Sequence, residues 1–364
     1  MTHSTHHSRS RRKTGAGALI VVLLSVVLAI CLPKTAAAKA LAPIAEGPQL
    51  AHVPRHIEPE AFERPSKESA KERARARQLP VLSRGGRVQD YTRTYVIFWL
   101  PAGYTYDTIG GSSYYENLIT RYLTDVNAST FYNTLTQYGD PFAWIRPNSA
   151  LADVVLDTTP YPVRSGHVFT IDSDIQAEVV KWINARGWIY GLHEQFLVYT
   201  AAGVQTWAPD LGWSTDPKDG YCAYHSYFQG TSVGLGNYPI VYANMPDQQG
   251  QYACYAQVVV GKGKKARAVA LSPNGDPVAD SEISITSHEQ FESVTDPLLN
   301  AWADAQGSEV ADKCAYQYGP LAADGGNVTL NGHRYVLQGE WSNAPIDRNG
   351  GGCSWYTAVP FHGQ

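Results

Sequence analysis

The sequence predicts an α/β body, a mixed β-sheet with helices packed on it, one of which carries a His-Glu-x-x-Glu string. Three observations lead there. Apolar runs of strand length at Thr94–Leu100, Phe196–Ala201 and Ile240–Asn244 are rich in β-branched and aromatic residues. Between the first two lie segments with helical spacing, Leu118, Tyr122 and Val126 in one and Val179, Val180 and Ile183 in another. The third observation is His288-Glu289-Gln290-Phe291-Glu292, where His288 and Glu292 stand four positions apart and share one helix face.

Taken in order, residues 1–40 read as a signal peptide. A basic start (Arg9, Arg11, Arg12, Lys13) precedes an apolar run from Gly15 to Leu32, and Ala38-Lys39-Ala40 offers a cleavage site. The run is short for a lasting span, so no stable membrane span is expected after cleavage. Ile30 before Cys31 departs from the small residue of a lipidation box. Residues 41–90 form a proline-broken, basic pro-segment or linker. Between 51 and 93 there are ten Lys/Arg against six Asp/Glu, whereas 94–364 hold thirteen against twenty-six. A basic lead-in before an acidic body fits a docked pro-segment as well as an exposed linker, and the acidic balance disfavours nucleic acid as a partner.

The body from residue 91 onward is long enough for one large domain. Ser113–Val126 is expected as a helix and Ala152–Asp157 as a strand. Asp172 or Ser173 is expected to cap a helix ended by Gly187. Val258–Val260 and Ala266–Leu271 flank the basic turn at Lys262–Arg267. His193-Glu194-Gln195-Phe196 repeats HEQF, but Leu197 occupies the fifth position and the copy runs into a strand, so it reads as structural. In the HExxE helix, Pro297 supplies the stop after Asp296. Asn274-Gly275 makes a turn before it, with Asp276 and Asp280 as turn and cap residues or calcium donors.

The mature chain holds Cys222, Cys254, Cys314 and Cys353, an even number that fits export to an oxidising compartment. Three pairings exist, and sequence proximity favours Cys222–Cys254 with Cys314–Cys353. The body's abundant Tyr and Trp suit core packing, and also extracellular contact with carbohydrate or peptide.

The chemistry centres on residues 281–314. HEQFESVTD resembles the active-site helix of thermolysin-like zinc peptidases, which runs HExxH and continues Val-Thr-Asp. The resemblance implies a zincin-like domain in which His288 and Glu292 ligate zinc and Glu289 is the general base. Glu309 would be the third ligand and Asp312 a supporting residue or alternative ligand, with Asp296 behind the helix end and Asp304 as a further acidic donor. Glu292 replaces the family's second histidine, and this more anionic donor set makes other divalent ions more competitive. A solvated polar helix face is the alternative reading of the same string. His225, between Tyr224 and Tyr227, reads as a hydrogen-bonded structural histidine, with an electrophile or a substitute ligand in a pocket as the alternatives.

A broader resemblance covers most of the body. YVIFWLPAGY, FLVYTAAGV, Cys222–His225, LSPNGDPVADSEIS, VTDP, the stretch at 309–314 and HRYVLQGEW are similar, in order, to the secreted Exordium or phosphate-induced protein family. It implies export and a role in the cell-wall space without an established reaction. Plant members lack the His-Glu pair, while many bacterial relatives look as though they keep H-E-x-x-E. The expectations are therefore a secreted zinc metallopeptidase acting on an extracellular peptide or protein, or a non-catalytic Exordium-like protein binding wall carbohydrate or a protein partner.

Overall fold

The computed structural model describes residues 79–209, 211–214, 220–249, 254–347 and 350–362, all within the unit Ala40–Gln364. The expected signal peptide and residues 41–78 of the lead-in lie outside the described residues. Eight elements position the site: β1 (Thr92–Trp99), α1 (Ser112–Asp125), β2 (Ser149–Asp157), α2 (Asp172–Arg186), β3 (Glu194–Thr200), β4 (Tyr224–Gln229), β5 (Pro239–Pro246) and α3 (Pro277–Thr295). The central sheet has the order β4-β5-β3-β1-β2. Four strands are parallel, and the edge strand β4 runs antiparallel to β5. The mixed α/β class expected from the sequence is the class observed.

Strict alternation along the inner strands builds two cores. Val96, Phe98, Leu197, Tyr199, Ala243 and Met245 face α1 and α3, while Tyr95, Ile97, Trp99, Phe196 and Val198 face α2. Parallel strands covered on both faces must read as near-continuous apolar runs, which is why TYVIFWL and FLVYT were legible as strands. The HEQF copy falls at the start of β3. There Glu194 pairs with Arg93 at 2.6 Å and His193 stacks on Tyr91, a purely structural use.

Helix α2 ends as expected at Gly187 (φ 65), whose left-handed conformation lets Trp188 N–H reach the Ile183 carbonyl. Its start differs from expectation. Asp174, rather than Asp172 or Ser173, accepts the Ile171 N–H at 2.8 Å. Asp172 is buried and accepts hydrogen bonds from the hydroxyls of Tyr224 (2.6 Å) and Tyr242 (2.5 Å), which tie the helix to the sheet.

On the same helix Glu178 and Lys181 meet Asp157 at the end of β2. Burial, reinforced by the Asp157 carboxylate, pushes Glu178 up to about 8 despite Lys181. Burial opposes ionisation of Asp157 too, but its bonds from Glu178 and Lys181 hold it below the usual range. Glu178, raised above its unfolded value of roughly 4.3, binds more protons in the folded state. Its contribution is complete below that value and is lost as pH rises towards 8. Glu178→Gln is therefore expected to flatten the fall in stability between pH 5 and 8, by a slope of at most about 1.4 kcal/mol per pH unit. Urea unfolding across that range checks this, and identical slopes in both proteins would refute it.

The HExxE helix α3 begins where turn chemistry sets it. Gly275 takes φ 75, Asp276 caps the helix by accepting the Ala279 N–H, and Pro277 fills the first position. Asp280 accepts from Asn274 and Ser272, so both aspartates serve the turn. Every residue from Val278 to Thr295 is buried. The helix lies against α1, β4 and β5, and its polar residues are absorbed internally. Thr286 bonds the Tyr199 hydroxyl, and Gln290 bridges the Tyr122 and Ser149 hydroxyls. A solvated polar face is thereby excluded for His288 and Glu292.

Both favoured disulfides are present, Cys222–Cys254 and Cys314–Cys353. The second joins the turn that follows Glu309 and Asp312 to the terminal hairpin Glu340–Asp347/Gly350–Ser354. Among the described residues no helix is long and apolar enough to cross a membrane.

Candidate metal centre

Four separate elements bring titratable side chains together around the C-terminal half of α3. His288, Glu289 and Glu292 come from the helix itself. His225 comes from β4, where it stands opposite Ala243 and so points to the α3 side of the sheet. Glu309 and Asp312 come from the segment after Ala303, which is clamped by Trp341 N–H donating to the Val310 carbonyl and by the buried Lys313–Asp304 pair at 2.8 Å. Asp304 is thus engaged with a lysine away from the cluster. Glu340 comes from the terminal hairpin.

His288 Nε2 lies 3.3 Å from Glu292 Oε1 and 3.4 Å from Asp312 Oδ1, and the three form one potential ligand set. Glu309, expected as the third ligand, instead lies 3.9 Å from His225 Nε2, while Asp312 occupies the position beside His288. The other nitrogen of His225, Nδ1, is 3.5 Å from Glu289 Oε2 and 3.6 Å from Glu292 Oε2, a second such set. Supporting bonds fix the geometry. Asp312 N–H donates to Glu292 Oε1 (3.1 Å), Glu309 N–H donates to Asp312 Oδ2 (2.9 Å), and the Gln338 amide holds His288 Nδ1 at 2.8 Å. Asp296 closes the helix end by accepting the Asn300 and Ala301 N–H groups and meets the Glu309 carboxyl.

Six carboxyl groups, on Glu289, Glu292, Asp296, Glu309, Asp312 and Glu340, therefore share an almost water-free region with two imidazoles. Burial pushes Glu292 up to about 7 with the Asp312 carboxylate adding to the effect, and burial together with Glu292 raises Glu309 well above its usual range. Burial disfavours the His288 cation, but Glu292 and Asp312 outweigh it and raise the imidazole well above its ordinary value. His225 is raised by Glu289 and Glu292 against the same opposition. Glu340 is fully buried, pushed up by that burial, and neither of its oxygens has a hydrogen-bond partner among the described residues. A buried anionic excess of this kind is stable only with bound protons or a bound cation. The donor set, imidazole nitrogen plus carboxylate oxygen, fits a divalent first-row ion.

A small cleft is lined by His288, Glu289 and Gln338 together with Ala223, Tyr316 and Tyr318, and both cysteines of the Cys222–Cys254 bridge stand on its wall. Glu292 and Glu309 are buried and do not line it. His225 and Glu340 gained their place from strand pairing and hairpin docking. The sequence offered His225 as a substitute ligand, whereas Glu340 was marked only by the HRYVLQGEW block around it.

The fold and the site define an α/β protein with a buried histidine–carboxylate cluster at the foot of a cleft. A segment of this chain is similar to Protein EXORDIUM-like 3 of Arabidopsis thaliana, 37% identical over 91 residues. The match spans 20% of this chain and about a quarter (26%) of that protein's length, and supports a relationship to Exordium-like proteins. No family model matches the chain, and no solved structure matches it.

Proposed function

We propose that this is a secreted metal-dependent hydrolase of the peptidase type, with zinc as the first ion to test. The observation that carries this reading is the His288–Glu292–Asp312 set at the foot of a cleft, with Glu289 next to it on the cleft wall. His288, Glu292 and Asp312 would hold the ion, with Glu309 held behind them against His225. A bound divalent ion supplies Lewis acidity, polarising a peptide carbonyl and making a water easier to deprotonate. Glu289 would take a proton from a water as the water oxygen adds to the carbonyl carbon, and would return it to the amine nitrogen as the C–N bond breaks. Asp312 has a second task, because its Oδ2 accepts the Glu309 N–H and so fixes the segment carrying both residues. Two imidazole-poor, oxygen-rich donor sets also admit manganese and related ions.

A second reading keeps the ion but makes it structural, in a non-catalytic extracellular protein of the Exordium type that binds wall carbohydrate or a partner. It is favoured by the near-complete burial of Glu292 and Glu309. The experiment for the primary claim is metal content of the secreted chain beside His288→Ala, after dialysis against a weak chelator. The expected result is zinc bound by the wild type and lost from the His288 position in the variant. Absence of metal from both, even after reconstitution, would exclude a metal hydrolase.

A further inference from the structure

We infer that the cluster binds two divalent cations, bridged by Glu292, with the second held by His225, Glu289 and Glu292. The inference rests on the metal reading above and extends it by one ion. Its first support is spacing. A tetrahedral ion with bonds of about 2.1 Å sets its ligand atoms about 3.4 Å apart. The separations around His288 are 3.3 and 3.4 Å, and those around His225 Nδ1 are 3.5 and 3.6 Å. Charge-assisted hydrogen bonds settle closer, at about 2.7–2.9 Å. Both sets therefore have the dimensions of a coordination edge.

Orientation is the second support. Glu292 directs Oε1 to His288 and Oε2 to His225, the disposition of a bridging carboxylate. His225 presents Nδ1 to Glu289 and Glu292 while Nε2 faces the Glu309 carboxyl, so a ring ligating through Nδ1 would donate its remaining N–H to a carboxylate, as metal-bound histidines commonly do. A third, independent observation comes from Glu289. Its side chain is about 6% exposed, and its Oε2, aimed at His225, has no hydrogen-bond partner among the described residues. Glu289 also lines the cleft.

The test uses the full secreted chain, stripped of metal and reloaded with Mn(II) alone, then with Zn(II) alone. Metal is counted per chain, and the Mn(II) form is examined by electron paramagnetic resonance. Two ions per chain with an exchange-coupled Mn(II) spectrum are expected. His225→Ala should reduce the count to one and leave an uncoupled six-line signal. One ion per wild-type chain would overturn the second site and leave the His288 reading standing. Two ions without coupling would overturn the Glu292 bridge. No ion would overturn both readings. The wild-type count and spectrum decide the matter even if His225→Ala fails to fold.

Discussion

Replacing Glu289 by Gln is expected to lower kcat/KM on a cleaved peptide by about 10²–10⁴-fold while the ion held by His288, Glu292 and Asp312 stays bound. Glutamine fills the same space on the buried helix but has no basic oxygen to receive a proton. The loss corresponds to about 3–5 kcal/mol of transition-state stabilisation, too large for a packing adjustment at an isosteric position. The measurement pairs a peptide-library hydrolysis assay with metal counting on the same preparations. If the variant hydrolyses peptide as well as the wild type, Glu289 is not the base. If instead chelation lowers the melting temperature while Glu289→Gln changes nothing, the ion is structural.

The second large effect concerns the Cys314–Cys353 bridge. Its 39-residue separation corresponds to about 4 kcal/mol in the chain-entropy account of cross-linking. Removal by Cys314→Ser with Cys353→Ser should therefore lower the unfolding free energy of the metal-free protein by about that amount. It should also weaken metal binding, because the bridge immobilises the segment presenting Glu309 and Asp312. The Trp341–Val310 backbone bond and the Lys313–Asp304 pair remain as restraints, so weakened rather than abolished binding is expected. Cys222→Ser with Cys254→Ser, which opens a loop of similar length on the cleft wall, is the comparison. Equal metal affinity in the wild type and both double variants would show that neither bridge serves the site. Unchanged urea stability would refute the cross-linking argument itself.

The His288–Glu292 pairing was legible because helical periodicity is local: four residues complete one turn wherever the helix lies. The strands at Thr94–Leu100 and Phe196–Ala201 were legible because parallel strands covered on both faces need continuous apolar side chains. The cysteine pairing followed from nearness along the chain, since short loops close at the least entropic cost. Strand β4 was not read as a strand, since YHSYFQ at an edge lacks the continuous apolar run of a central strand.

What the sequence by itself determined is therefore the inner strands of the sheet, the helix carrying HExxE, and the residue types able to bind metal. Only the tertiary structure decided which of those residues meet. Burial of the polar helix on every side was invisible, because Ser, Thr and Glu carry no outward sign of whether a hydroxyl or a strand will cover them. Asp312 rather than Glu309 reached His288, a choice set by the clamped turn and not by spacing. His225 and Glu340 arrived from a strand edge and a distant hairpin, each more than fifty residues from His288 along the chain. Such contacts depend on register and docking between segments far apart in sequence, and local pattern carries no information about either.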